Sequence, residues 1–422
     1  MKLARFLNGG EFSRNVLRLM AGTTIAQAIP IGISPILTRI YTPQDFGVLA
    51  LFVSITSVFA SVASARYEQA IVLPDSDEDA LTIAALGLTI VVSISTLLLV
   101  CVAAFGDEIA VLLKNEAIGG WLYFIPLTVL SMGIFNILVY TNSRRKQFGE
   151  IATANIAKSI AMATVQLLVG IFKSGPAGLV LGHVASSLVS NARLFRRSLS
   201  IPDLFRAFQL SALRRNAVRY RDFPLYSMPG IFANTLSLNV ASVLISGFFG
   251  VATLGQYALV QRVMTAPATL MGTAIGQVFY QRAAEQMRHQ RSANAAFLSA
   301  ISRLAVLSTV IFGALYFVVD DLFVFIFGAN WAAAGKMAKI MSPLFAIRFV
   351  ASPLSMMNQV YGRNHVGLII NLTLLLATVG IIWGGSRFLS GFDAVLQCLT
   401  VVLSAIYLAM LLVIHRYARD VK

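Results

Sequence analysis

Three cations in this sequence stand where cations are costly. Lys158, Arg262 and Arg348 fall inside long apolar runs, and none of the 18 Asp and Glu residues does. A charge at the centre of a membrane-spanning helix costs about 2.5–3.5 kcal/mol on the insertion scale, which makes such residues functional candidates. Cations without carboxylates suit an anionic ligand, and a guanidinium pairs with phosphate oxygens as a two-pronged fork. A diphosphate is a natural guest for such a set. Arg348 lies about twelve residues from either end of its run, too deep to reach water easily. Arg262 is seven residues from the nearer end and Lys158 one or two turns from its own, so for these two snorkelling competes with ligand binding.

Polar stripes accompany the cations. Arg262, Thr265, Thr269, Gly272 and Gly276 recur at three- and four-residue steps, so they share one helix face. An earlier run carries Thr23, Gln27, Pro30, Ser34 and Thr38, and a later one Thr235, Asn239, Ser242 and Ser246. Such stripes either line a cavity or pack helices through small and hydrogen-bonding residues. On the first reading Gln27, Ser34, Thr235, Asn239, Thr265 and Thr269 are cavity-lining, and Arg262, Arg348, Lys158, Arg66 and Arg39 contact the anion. Arg66 and Glu68 sit at the mouth of one apolar run, where they meet an incoming diphosphate or simply pair with each other. Arg39 is their counterpart at the opposite face. Pro30 and Pro267 each remove a backbone donor inside a helix and are the expected hinges.

The elements that must position these residues are membrane spans. Of 422 residues, 57% are hydrophobic and 12% charged, whereas a soluble domain carries roughly 25% charged residues. An ordinary soluble enzyme and a disordered chain are both excluded. Twelve apolar segments are expected as helices: Asn15–Thr38, Phe46–Ala65, Leu81–Phe105, Trp121–Thr141, Ile151–Phe172, Pro176–Phe195, Leu225–Phe249, Gly255–Phe279, Phe297–Val319, Lys336–Tyr361, Val366–Gly385 and Ala394–His415. Their length and lack of period-2 alternation favour helices over a barrel. The expected fold is an all-α integral membrane protein, with about 12 transmembrane helices in two six-helix lobes around a central cavity. The expected organisation is a cytoplasmic segment 1–14, a lobe 15–195, a basic cytoplasmic linker 196–224, a second lobe 225–415 and a cytoplasmic tail 416–422.

Charge assigns the sides. The loops and helix ends on the side of the termini hold 24 of the 33 Lys and Arg residues, the opposite side 6, and 3 lie within spans. Both termini are therefore expected in the cytoplasm, and the net charge of +15 reads as topology rather than as a nucleic-acid surface. The acidic loop Pro74–Asp79 falls on the basic side, but acids weigh little in this rule. The polar, basic N-terminus reads as a short cytoplasmic amphipathic stretch. The run after it is too long for a cleavable signal peptide.

The two halves resemble each other. A shift of 208 residues places Gly47 on Gly255, Ala50 on Ala258, Leu51 on Leu259, Ser34 on Ser242 and Thr38 on Ser246. Six plus six spans give both halves the same orientation. Parallel repeats of this kind are a transporter architecture with alternating access.

Catalysis and metal binding find little support. Cys101 and Cys398 lie inside apolar runs and read as small hydrophobes. His183, His289, His365 and His415 have no metal spacing, and no phosphate-binding P-loop occurs. Asp320-Asp321 reads as the acidic end of a span rather than a general acid and base. No enzyme activity, metal or cofactor is expected.

The stretch Asn15-Val-Leu-Arg-Leu-Met-Ala-Gly-Thr-Thr-Ile-Ala-Gln27, followed by Ser34-Pro-Ile-Leu-Thr-Arg-Ile-Tyr-Thr-Pro-Gln-Asp-Phe-Gly47, resembles the oligosaccharide flippases of bacterial surface-polysaccharide pathways. Arg66-Tyr-Glu-Gln-Ala-Ile-Val-Leu-Pro74 and Gly255-Gln-Tyr-Ala-Leu-Val-Gln-Arg-Val-Met-Thr-Ala-Pro267 are similar to the same family. The resemblance implies the multidrug/oligosaccharidyl-lipid/polysaccharide exporter fold in the bacterial inner membrane. It also implies flipping of an undecaprenyl-diphosphate-linked oligosaccharide repeat unit to the periplasmic leaflet, for O-antigen, capsule or exopolysaccharide. Membrane lipid, and the polymerase and glycosyltransferases of the pathway, are the implied partners; nucleic acid is not, and a monomer is expected. Two other readings stand beside this one. The same fold could carry a drug or a peptidoglycan lipid precursor, or the chain could be a membrane polysaccharide polymerase. Drug antiport favours an intramembrane carboxylate, which is lacking; a precursor flippase would typically be longer; a polymerase needs positioned acids or a large periplasmic loop.

Overall fold

The computed structural model describes residues 11–172, 175–198, 207–290 and 292–419. The N-terminal stretch up to residue 10, the start of the basic linker at 199–206 and the last three residues lie outside the described residues, as does the side chain of Thr269. Fourteen helices organise the rest: α1 (Glu11–Ile40), α2 (Pro43–Ala60), α3 (Asp77–Leu112), α4 (Phe124–Arg144), α5 (Phe148–Phe172), α6 (Ala177–Ser198), α7 (Leu210–Arg219), α8 (Met228–Phe249), α9 (Val251–Met264), α10 (Ala266–Gln290), α11 (Asn294–Phe327), α12 (Ala332–Leu354), α13 (Asn364–Phe388) and α14 (Phe392–Arg419). No strand occurs among the described residues. Ten helical segments among them are long and apolar enough to cross a membrane.

Most of the expected length of the twelve segments lies on helices, and the two segments outside those ten are informative. The helix α6 carries Ser186, Ser187 and Ser190, all fully buried. Its Asn191 side chain donates to the Ser131 carbonyl at 2.8 Å, and the Gln166 side chain of α5 donates to the Leu179 carbonyl at 3.3 Å. At Gly182 a Cβ would come within 2.5 Å of Gln166 Cγ. The polar face thus points inward while Leu188 and Val189 are exposed, the reverse of a soluble helix and the arrangement that hydrocarbon favours. The other segment is broken: α9 ends at Met264, Thr265 forms the break, and α10 starts one residue before Pro267. A proline there lacks the N–H that would have continued the helix. By contrast, Pro30 lies within the unbroken helical run of α1.

The basic linker is partly structured. Helix α7 docks on the acidic loop between α2 and α3, where Arg215 pairs with Asp79 at 3.0 Å. The Tyr67 hydroxyl donates to the Ala217 carbonyl at 2.9 Å, and burial raises the pKa of this phenol, keeping it a donor. Arg144 clamps the same loop through Asp77 at 3.0 Å and the carbonyls of Ile71, Pro74 and Asp75. Asp77 and Asp79 therefore serve as partners for Arg144 and Arg215.

The chain divides into two compact units: Met1–Ile33 with Val48–Asn239, and Ser34–Gly47 with Val240–Lys422. The breaks inside α1 and α8 fall within two residues of the 208-residue repeat offset.

In the second unit, the repeat partners touch. Thr42 caps α2 in a reciprocal box: its N–H donates to Asp45 Oδ2 at 2.9 Å, and the Asp45 N–H donates to its hydroxyl at 3.3 Å. Pro43 follows at the first helical position, where no donor is needed. One turn later α2 crosses the start of α9. A Cβ on Gly47 would collide with the Val251 carbonyl oxygen, and one on Gly255 with the carbonyl oxygen of Pro43. Pro43 and Val251 are themselves 208 residues apart, so the contact is reciprocal and only glycine fits either side.

Gly47→Val and Gly255→Val should each lower the thermal midpoint of the purified protein, because overpacking costs about 1–3 kcal/mol even in adaptable cores. Gly32→Ala should not lower it, since nothing lies within 4 Å of that Cβ and alanine is the better helix former. Equal midpoints for all three variants would show that the crossing is not close.

Candidate functional site

Arg262 emerges from the last turn of α9, about two turns beyond the glycine crossing. Its Nη1 donates to Ser34 Oγ at 3.5 Å, and its Cζ lies 5.8 Å from the ring centroid of Phe46. Ser34 is fully buried. Phe46 is fixed edge-on against Trp331, centroids 5.0 Å apart, and the Trp331 indole donates to the Thr38 carbonyl at 3.1 Å. Gln256 ties α9 to the start of α12: its side chain donates to the Asn330 carbonyl at 2.8 Å and accepts from the Ala334 N–H at 3.0 Å. Arg262 is thus held at the edge of a rigid aromatic and amide framework. Its guanidinium makes one long hydrogen bond and one cation–π contact, so most of its five donors have no acceptor among the described residues.

Arg348 lies in α12, midway between Pro343 and Pro353. Each proline leaves a carbonyl of the preceding turn without its helical donor. Among the described residues Arg348 has no hydrogen bond or ion pair. On α9, the Gln261 side chain donates to the Tyr257 hydroxyl at 2.6 Å. Tyr257 and Gln261 lie one turn apart on α9, and Arg262 directly follows Gln261 in the chain. Composition alone did not single out the Tyr257–Gln261 pair, although both lie in the Gly255–Pro267 motif. The i, i+4 spacing of two hydrogen-bonding side chains beside an intramembrane arginine was the available signal.

The remaining candidates differ in how firmly they are engaged. In the first unit the Lys158 ammonium sits 5.1 Å from the Phe135 ring centroid and has no acid partner among the described residues. Next to it, Ser159 donates to the Ala26 carbonyl at 2.7 Å, fastening α5 to α1. Arg66 adopts a left-handed conformation, φ 66°, and pairs with Glu68 at 3.1 Å. Glu68 is 1% exposed and also accepts from the Ser64 hydroxyl. Arg39 donates to the Phe325 carbonyl at 3.1 Å, a cation on the last turn of α11, where the helix dipole favours it. Gln27 is exposed. Asn239 donates to the Thr235 carbonyl at 2.8 Å and Thr265 to the Gln261 carbonyl at 2.5 Å, so these side chains bond within their own helices. The structure therefore brings Ser34 to Arg262, and holds Lys158, Arg66 and Arg39 in separate surroundings.

Residues 36–336 match a family described as polysaccharide biosynthesis protein. The chain is 23% identical over 334 residues to the succinoglycan biosynthesis transport protein ExoT of Rhizobium meliloti, a match covering 78% of this chain and 65% of that protein. Among solved structures it resembles the lipid II flippase MurJ in an inward closed conformation, with a TM-score of 0.68 and 11% identity over 96% of this chain and 90% of that one. It also resembles a multidrug resistance MATE transporter of the MOP superfamily in an inward-facing conformation, with a TM-score of 0.61 and 13% identity over 96% and 94% of the chains. A MOP superfamily transporter from Pyrococcus furiosus, described by the reverse polarity of its binding pocket, gives 0.58 and 13% over 99% and 98%. These likenesses establish the fold.

Arg66→Ala should destabilise the protein by about 3–5 kcal/mol, because it strands the buried Glu68 carboxylate. Adding Glu68→Gln should recover most of that loss in chemical denaturation of the purified protein. No recovery in the double variant would mean that Arg66 acts through packing instead.

Proposed function

Because the chain belongs to the polysaccharide biosynthesis protein family, we propose that it flips a lipid-linked oligosaccharide across the bacterial inner membrane by alternating access. The cargo is an undecaprenyl-diphosphate-linked repeat unit moving from the cytoplasmic to the periplasmic leaflet, for O-antigen, capsule or exopolysaccharide. The observation that carries this reading is that Arg262, Arg348 and Lys158 lie in apolar helices with no carboxylate paired to any of them among the described residues. A diphosphate supplies the missing negative charge and enough oxygens to engage both arginines as forks. Arg262 gives up little to bind it, since its Ser34 bond is at the limit of hydrogen-bond length.

The name of the Rhizobium meliloti relative, a transport protein of succinoglycan biosynthesis, is in keeping with this cargo class. A cationic drug would need a carboxylate beside the site instead. The ion pairs of Arg144 and Arg215 with the acidic loop fit a cytoplasmic end gathered by the basic segments, with both termini inside. The protein acts as a monomer alongside the glycosyltransferases that build the unit and the polymerase that consumes it. It performs no covalent chemistry.

Deleting the gene from its native bacterium should abolish long surface polysaccharide while complete lipid-linked units accumulate facing the cytoplasm, with both effects reversed by re-expression. Units already facing the periplasm would transfer the defect to polymerisation, and unchanged levels of both would overturn the cargo. Arg262→Ala and Arg348→Ala should remain inserted at wild-type abundance yet each lower export by about tenfold or more, as expected from the about 1.5–3 kcal/mol of a hydrogen bond to a charged group. Arg262→Lys should be intermediate, because an ammonium cannot fork; full activity would show that charge alone suffices.

A further inference from the structure

A cavity of about 410 Å³ opens between α10 and α11, and neither Arg262 nor Arg348 lines it. Its inner part is formed by Ile275, Phe279, Leu304 and Leu307, and Arg282 and Arg303 line it as well. On α10 the steps Ile275, Phe279, Arg282 follow one helix face, and on α11 Arg303, Leu304 and Leu307 do the same. Polarity therefore changes along the groove from hydrocarbon to guanidinium. Both arginines are exposed, and among the described residues neither makes a hydrogen bond or ion pair, not even with Glu285 one turn away on α10.

Depth identifies the level at which this change occurs. From Arg303 to Asp320 along α11 is 17 residues, or about 26 Å at 1.5 Å per residue. Asp320 is ion-paired with Lys339 at 2.7 Å, and such a pair belongs at a membrane boundary rather than in hydrocarbon. With a hydrocarbon core about 30 Å thick, Arg303 stands at the opposite boundary, level with lipid phosphates. Arg282 and Arg303 are also on the same end of their helices as the basic loops.

We propose that this groove is a binding site for one anionic glycerophospholipid, its phosphate held between Arg282 and Arg303 and an acyl chain laid against Phe279 and Leu304. Charge complementarity selects the occupant. Two cations with no acid between them favour a headgroup of net negative charge over a zwitterionic one, whose own ammonium would meet the guanidiniums. The volume falls within the about 300–1,000 Å³ of small-ligand pockets, and its lining suits a single chain. The site is independent of the cargo.

The test uses the full-length purified protein and native mass spectrometry, with phosphatidylglycerol and phosphatidylcholine of identical acyl chains. Wild type should retain one phosphatidylglycerol at least tenfold more tightly than phosphatidylcholine. Arg282→Gln with Arg303→Gln should remove that preference without changing the thermal midpoint of the delipidated protein. Ala300→Trp, which fills the groove and leaves both charges, should lose the lipid as well. Equal retention of the two lipids by wild type, or an unaltered preference in the double variant, overturns the proposal. So does displacement of phosphatidylglycerol by equimolar undecaprenyl phosphate, which would make the polyprenyl lipid the occupant.

Discussion

The contact on which the second unit depends is backbone against backbone, where α2 and α9 cross at Gly47 and Gly255. In hydrocarbon, helices gain nothing from hiding apolar side chains from one another, and close approach through small residues supplies the attraction. Once that crossing is made, the neighbouring residues have fixed tasks. Thr42 and Asp45 close the start of α2, Phe46 is wedged against Trp331, and Gln256 bonds both ends of the turn into α12. Arg39 caps α11. The run Arg39–Gly47 reads as a signature because nearly every residue in it is committed to this corner, and Arg262 is positioned as a consequence.

Two kinds of cation share the molecule. Arg66, Arg144 and Arg215 meet carboxylates and fasten loops to one another. Lys158 and Arg262 meet aromatic rings and a hydroxyl instead, and Arg348 has no hydrogen bond or ion pair among the described residues. Such contacts offset part of the desolvation cost without neutralising the charge. The first kind is architecture; the second retains an electrostatic demand inside the membrane.

Much of this was legible beforehand. The apolar segments sufficed to place the ten long apolar helical segments, since a bilayer fixes both their length and their composition. The repeat offset paired Gly47 with Gly255 before either was known to touch the other. Other features escaped for physical reasons. Hydropathy cannot reveal that α6 buries its serines, because its averaged composition hides which face is polar. The helix α7 is amphipathic and basic, and its order depends on Asp79 and the Ala217 carbonyl, which lie beyond local sequence. Pro267 was expected as a hinge and coincides with a break, whereas Pro30 lies in continuous helix. One proline signal therefore has two outcomes, depending on what surrounds it. Arg66 and Arg39 were legible as boundary cations, but their partners Glu68 and the Phe325 carbonyl decide what they do.

The glycine crossing has the logic of a homodimer. Pro43 faces Gly255 while Val251 faces Gly47, so residue i meets the mate of j and j meets the mate of i, the defining property of a self-complementary two-fold interface. Two identical chains could make this contact with a single patch, needing one small residue and one exposed carbonyl in each copy. The correspondence stops short of the charge, since the residue 208 positions before Arg262 is Ser54.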